Sequence, residues 1–177
     1  NHSCPAGWHS LPLLGAVKHA LDPAPSRLHL GGMLPAIFVS HGSPMLAIED
    51  AEARQFLATL PEILPERPKA ILMISAHWER LRPAVSAPPA NETIHDFGGF
   101  PPALYQIQYP APPSADLARR VAELLGASGL PTDIDQRRGL DHGAWVPVMV
   151  AWPDADIPVV QLSVQTQLGP AHHYQLG

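Results

Sequence analysis

The stretch that decides the fold is LPAIFVSHGSPM, residues 34–45. Its first half, residues 34–39, is a nearly unbroken apolar run. The run is too short for a helix and turn residues follow it at once, which predicts a strand buried on both faces. His41 comes directly after this predicted strand. It should therefore lie at the carboxyl edge of a sheet, where open α/β folds bind their ligands.

A second copy of this arrangement follows about one helix later. Residues 69–75, KAILMIS, predict another buried strand, and His77 comes after it. Residues 49–60 predict a helix between the two strands, with acidic residues in the first turn and an apolar face at three- and four-residue spacing. A strand–helix–strand unit gives parallel strands, so His41 and His77 are expected on one edge. Because imidazole is a common ligand of zinc and iron, the pair is a candidate metal site.

The rest of the chain predicts further elements of an α/β domain. These are an edge strand over residues 82–87, a helix over 114–126, a strand over 132–135, a helix over 144–152, a strand over 157–164 and a helix from residue 170. Residues 93–110 predict a long aromatic loop, which is either functional or a proline-rich cover over the core. The expected fold is a three-layer α/β/α arrangement with a mostly parallel central sheet.

Composition limits the possible functions. The 177 residues suit one domain, and 46% of them are hydrophobic, as in ordinary globular proteins. The net charge of −5, without a basic cluster, argues against nucleic acid and anionic membranes as partners. The single cysteine excludes a disulfide within the chain and favours a reducing, cytoplasmic location. Residues 1–32 have no strong pattern and are expected to be an extension outside the fold, which residues 33–177 would form.

Two further histidines are candidates for proton transfer. His142 lies in Asp-His-Gly before a predicted helix, and His95 is followed by Asp96. A histidine near its normal pKa suits acid–base catalysis at neutral pH. Glu79 is a weaker candidate for a carboxylate ligand, because a solvated residue at a strand end is the simpler interpretation. The residues alone indicate a metalloenzyme without naming its reaction.

Six motifs occur together and in order. They are HGSPM at residues 41–45, SAHW at 75–78, TIHDFGGFP at 93–101, YPAP at 109–112, LDHGAW at 140–145 and DADIPVVQLSV at 154–164. In this combination the chain resembles the class III extradiol ring-cleavage dioxygenases. The similarity is to the DOPA 4,5-dioxygenase-like branch, which is related to the protocatechuate 4,5-dioxygenase β subunit.

The resemblance implies roles for individual residues. His41 and His77 would bind a non-haem Fe(II) or Zn(II), and His142 would be the acid–base residue. His95 would lie in the pocket as a second catalytic candidate. The substrates would be a catechol and dioxygen, and the flat catechol would be held by three aromatic side chains: Phe97, Phe100 and Tyr105.

The resemblance also predicts a missing part. Proteins of this kind continue beyond the position that corresponds to Gly177, so we expect a C-terminally truncated domain with an incomplete metal site. Truncation should leave apolar surface of Trp145, Val148 and Trp152 open. His172 and His173 are poor substitutes for a missing ligand, since a place in the last helix explains them better. Two alternatives stay open, namely a zinc hydrolase on a similar frame and a non-catalytic relative; the oligomeric state is not predicted.

Overall fold

The computed structural model describes residues 34–177. The expectations for residues 1–32, and for Met33 as the start of the fold, lie outside these residues. The helices and strands in chain order are α1 (Glu52–Ala58), α2 (Leu60–Ile63), β1 (Ile71–Glu79), β2 (Ala84–Ser86), α3 (Ala115–Ala127), β3 (Asp133–Asp135), α4 (His142–Ala151), β4 (Val159–Val164) and α5 (Gly169–Leu176). Within residues 34–177, three short 3-10 helices lie at Pro44–Ala47, Pro102–Gln106 and Thr166–Leu168.

The four strands form one mixed sheet in the order β1-β4-β2-β3. The pairs β1–β4 and β2–β3 are parallel, and β4–β2 is antiparallel. Two of the three pairings are parallel, so the expected mostly parallel sheet is confirmed. The β1–β4 register runs from Ile71 opposite Val159 to Ile74 opposite Leu162 and then shifts before Glu79. His77 lies in this irregular end of β1.

Helices cover both faces of the sheet. On one face, side chains of α1, α2 and α4 pack with Val159 of β4. On the other, α3 packs against Val85 of β2 and against Val160 and Leu162 of β4. Val159 and Val160 enter opposite cores because successive side chains of a strand alternate between its faces. The three-layer α/β/α prediction is confirmed.

The predicted strand over residues 34–39 is wrong. These residues form no strand, and Phe38 is 97% exposed. An apolar run becomes a strand only where a neighbouring backbone pairs with its N–H and C=O groups. Among the described residues none does so, because a groove of about 1080 Å³ opens between residues 34–42 and β1.

Three other element predictions need correction. The strand over residues 82–87 is not at an edge, since β2 lies between β4 and β3. Pro83 precedes β2 and therefore removes no hydrogen bond from its ladder. The helix over residues 49–60 is divided at Thr59, and Pro61 lies in the first turn of α2, where its missing N–H is harmless. β1 continues to Glu79, so His77 lies within it and not after it.

Helix α4 is the most deeply buried helix among residues 34–177. Nine of its ten residues are buried, and it packs against α1, β1 and Pro44–Ala47. Trp145 and Val148 are 0% and 2% exposed, so the expectation that they lie open is wrong. Within residues 34–177, none of the helices has the length and apolar character needed to cross a membrane.

Candidate metal centre

Three histidine side chains from separate parts of the chain meet at one point. The ligand nitrogens of His41, His77 and His142 all lie within 4.8 Å of one another. The Nε2 atoms of His41 and His77 are 3.0 Å apart. The ring centre of His142 is 4.1 Å from that of His77 and 4.9 Å from that of His41. The structure thus brings together the two predicted ligands and the predicted acid–base histidine.

Each histidine is positioned by its own local structure. His77 projects from β1 where the register with β4 shifts, and irregularities of this kind redirect side chains near functional sites. His142 is the first residue of α4, which Asp141 caps by accepting a hydrogen bond from the Ala144 N–H. His41 precedes the 3-10 helix Pro44–Ala47, and Ser43 caps that helix through its hydroxyl oxygen.

The spacing of the His41 and His77 nitrogens suits a shared metal ion. Two nitrogens 3.0 Å apart, each with a bond of about 2.1 Å to a metal, subtend about 90° there. Two such bonds span at most about 4.2 Å. The 3.0 Å separation lies within this span, so the His41–His77 pair fits a shared metal directly, and the ligand nitrogen of His142 lies within 4.8 Å of both.

The surroundings of His41 favour its neutral form. Burial, and then the neighbouring rings of His142 and His77, lower the pKa of His41, while Asp141 and Asp96 oppose the shift. A neutral imidazole has a free lone pair, which metal binding requires. His77 is exposed, so the cluster is open to solvent on that side.

Asp96 is a functional candidate that the sequence did not single out on its own. Its carboxylate accepts hydrogen bonds from His142 Nδ1 at 2.8 Å and from the His142 backbone N–H at 2.9 Å. Burial opposes ionisation, but these hydrogen bonds lower the pKa of Asp96 to about 2. The carboxylate therefore holds the proton of His142 on Nδ1 and leaves Nε2 free as an acceptor.

His95 lies outside the histidine cluster. Its Nε2 pairs with the carbonyl of Ile107 at 3.0 Å, and its ring contacts Trp145. The Phe97 ring lies between the two sites, with its centre 5.7 Å from His95 and 5.6 Å from His142. Phe100 and Tyr105 pack against Phe97, with ring centres 5.4 Å and 5.1 Å from the centre of the Phe97 ring. These residues form a continuous aromatic wall next to His142.

The weaker candidates are not part of the cluster among the described residues. Glu79 is an exposed residue at the end of β1. His173 accepts a hydrogen bond from the Gln165 N–H, and His172 pairs with the Gln165 side chain. Both histidines lie in α5 and hold Gln165, the residue before the 3-10 helix Thr166–Leu168. This agrees with the expectation that their place in the last helix explains them.

Comparison with known proteins identifies the class to which this site belongs. Residues 35–177 match the family described as the catalytic LigB subunit of aromatic ring-opening dioxygenase, and the chain belongs to this family. The family that the six motifs indicated is confirmed, and with it an enzyme family that uses a metal.

Individual relatives are similar over most of this chain. It is 54% identical over 143 residues to a 4,5-DOPA dioxygenase extradiol of Beta vulgaris, covering 79% of this chain and 53% of the relative. The protein of the same name from Escherichia coli K12 is 46% identical over 145 residues, covering 81% and 52%. A crystal structure of an uncharacterized protein from Escherichia coli K12 matches with a TM-score of 0.52 and 37% identity, covering 68% of this chain and 43% of that one. The chain spans about half the length of the curated relatives it matches.

Proposed function

We propose that the histidine cluster belongs to the metal centre of an extradiol dioxygenase that opens a DOPA-like catechol with dioxygen. His41 and His77 are the proposed ligands of a non-haem Fe(II) or Zn(II). The observation that carries the proposal is the 3.0 Å approach of their Nε2 atoms. Imidazole suits both metals, and a metal at this point would hold the catechol oxygens and dioxygen next to each other.

His142 is proposed as the acid–base residue. With Nδ1 held by Asp96, its Nε2 would accept a proton from a catechol hydroxyl and later return one to the opening ring. The position of His142 beside the His41–His77 pair, 4.1 Å from His77 between ring centres, supports this role.

The aromatic wall is proposed as the surface that holds the flat catechol ring. Phe97 would contact the substrate first, because it is the member that packs on His142. Phe100 and Tyr105 would support it, because both rings pack against Phe97. The proposed role of His95 is to shape the pocket, since its Nε2 is engaged by the Ile107 carbonyl.

We also propose which part of the catalytic domain these residues form and where in the cell the enzyme lies. Residues 33–177 would be the N-terminal portion of the catalytic domain, which agrees with the 53% of the Beta vulgaris relative that the chain covers. The single cysteine supports a cytoplasmic location.

Metal analysis of single variants tests the ligand assignment. The unsubstituted chain should bind one Fe(II) or Zn(II), and His41→Ala and His77→Ala should each lose it. His172→Ala is the matched control, because it removes a histidine of α5 that lies outside the cluster. Equal metal content in all four proteins would sink the assignment. Parallel assays with a substituted catechol and with an ester, on a protein that also carries the remaining length of the relatives, would separate a ring-opening enzyme from a zinc hydrolase.

A further inference from the structure

A chain of hydrogen bonds links the strand that carries His77 to the helix that carries His142. The backbone N–H of His77 donates to Ser75 Oγ at 3.2 Å. The Ser75 hydroxyl in turn donates to Asp141 Oδ1 at 2.6 Å. Asp141 immediately precedes His142 and caps α4 through the same oxygen, which accepts from the Ala144 N–H at 3.2 Å. The link therefore begins and ends next to the two histidines.

The carboxylate at the centre of this link is firmly held. Asp141 is 0% exposed. Its Oδ2 accepts from Arg138 at 2.7 Å and from the Gln161 side chain of β4. A buried carboxylate with both oxygens paired is costly to move, because any displacement leaves a buried charge without a partner. Asp141 thus gives α4 a fixed position relative to both β1 and β4.

The backbone of α4 also approaches β1 closely at this level. A Cβ at Gly143 would lie 2.6 Å from Ser75 Oγ and 2.7 Å from His77 Cδ2. Both distances are far below van der Waals contact, so only glycine fits here. The Ser75–Asp141 hydrogen bond and the glycine contact act at the same place, beside the His77 ring.

We propose that Ser75 and Asp141 are positioning residues that set the separation between His77 and His142. They touch neither substrate nor metal in the proposed function, on which this inference rests, and they act through the two histidines. The reason is connectivity: β1 carries His77 two residues after Ser75, and α4 begins with His142 one residue after Asp141. Without the hydroxyl, this side-chain link between the two elements is broken while the carboxylate keeps its other partners.

Ser75→Ala tests the proposal, with Ser163→Ala as the matched control. Both serines are buried, at 3% and 1% exposed, and both lie in neighbouring strands of the sheet. Ser163 Oγ accepts from the Ala84 N–H and from the Gln165 side chain, and among the described residues it has no hydrogen bond to Asp141. The two variants should therefore lose similar thermal stability, and only Ser75→Ala should disturb the histidines.

Two readouts distinguish the proposal from a general loss of structure. Titration with Co²⁺, followed by its visible absorption, should show about 10- to 100-fold weaker binding in Ser75→Ala, the usual effect of losing a group behind a ligand. In the metal-free chain, nuclear Overhauser contacts between the His77 and His142 rings, 4.1 Å apart between centres, should weaken in Ser75→Ala alone.

The outcomes separate this inference from the proposed function. Unchanged cobalt affinity and ring contacts in Ser75→Ala would overturn the inference, and so would equal changes in Ser163→Ala. If the unsubstituted chain bound no cobalt, the proposed metal centre would be wrong. The ring contacts in the metal-free chain would then still decide whether Ser75 positions His77.

Discussion

Residues 34–41 and β1 both carry an apolar run that leads to a histidine of the cluster, but they are held in opposite ways. β1 pairs with β4 from Ile71 to Ile74, whereas residues 34–41 form no strand and Phe38 is 97% exposed. His77 is supported by Ser75 and by the close approach of Gly143. Among the described residues, nothing pairs with the buried Nδ1 of His41. One ligand candidate thus sits on a fixed frame and the other on a segment with few anchors.

This difference shows what organises the cluster. His77 and His142 belong to elements that the sheet and Asp141 hold in place, so their geometry is set by the fold itself. His41 reaches them through its ring, with Nε2 3.0 Å from that of His77. A metal bound by both would tie the loosely held segment to the fixed frame.

The largest effect is expected at His142, which lies in an element that the sheet and Asp141 hold in place. In a protein that carries residues 33–177 together with the remaining length of the relatives, His142→Ala should lower turnover by about 10²–10⁴-fold, the usual contribution of general acid–base catalysis. Metal content should stay near normal, because His41 and His77 are the proposed ligands. Joint loss of metal and activity would show that His142 is itself a ligand.

Gly143→Ala should have the next largest effect. The added methyl would lie 2.7 Å from His77 Cδ2, so either the ring or the start of α4 must move. Overpacking of this kind costs about 1–3 kcal/mol of unfolding free energy, and metal binding by His77 should weaken with it. Denaturant unfolding and metal titration measure the two effects.

Gly126→Ala in α3 is the matched control for this substitution. Its added Cβ meets nothing within 4 Å, and alanine in a helix is favoured over glycine by about 0.5–1 kcal/mol. The control should be slightly stabilised with metal binding unchanged. If Gly143→Ala behaved in the same way, α4 would not be pressed against His77 as the structure has it.

Local sequence patterns predicted the helices and the paired strands better than they predicted residues 34–41. The helix over residues 114–126 was readable because its cap and its apolar stripe both depend on neighbours in sequence. The strand at residues 34–39 was mispredicted because burial depends on a partner strand, which no local pattern specifies.

The same limit applies to the candidate site. Histidines at element ends, together with the motifs, indicated His41, His77 and His142, and the structure brings these residues together. Asp96 was noticed only as the neighbour of His95. Its carboxylate forms a hydrogen bond with His142, whereas the His95 ring pairs with the Ile107 carbonyl. The Ser75–Asp141 contact spans 66 residues, so no spacing rule reveals it.

Tyr109 anchors the aromatic loop, residues 93–110, to the end of α4. It also gives a pH-dependent prediction. Its hydroxyl donates to the Trp152 carbonyl at 2.8 Å. Burial, and then Asp156 and Asp154, raise the pKa of Tyr109 to about 12 from an ordinary value of 10.0. Between these two values the folded state retains a proton that the unfolded state has lost. Stability contributed by this group is therefore complete below pH 10 and should fall by about 2 kcal/mol as pH rises to 12.

Comparison with Tyr109→Phe isolates this titration from that of other groups. At neutral pH the variant should be about 0.5–1.5 kcal/mol less stable, since it lacks the hydrogen bond. Near pH 12 the order should reverse, because phenylalanine has no proton to lose. Urea unfolding at several pH values measures the difference. A constant difference across this range would mean that the Tyr109 hydroxyl is not buried in solution.

The smallest effect is expected in the loosely held segment. Phe38→Ala should change the unfolding free energy by no more than about 0.5 kcal/mol, because an exposed side chain gains little from folding. Leu162→Ala in β4 is the contrasting control. That side chain is 2% exposed and packed in the core with α3, and its truncation should cost about 2–5 kcal/mol. A cost above about 2 kcal/mol for Phe38→Ala would mean that Phe38 is buried in solution. Residues 34–39 would then be as firmly held as β1, and His41 would be fixed by the fold before any metal binds.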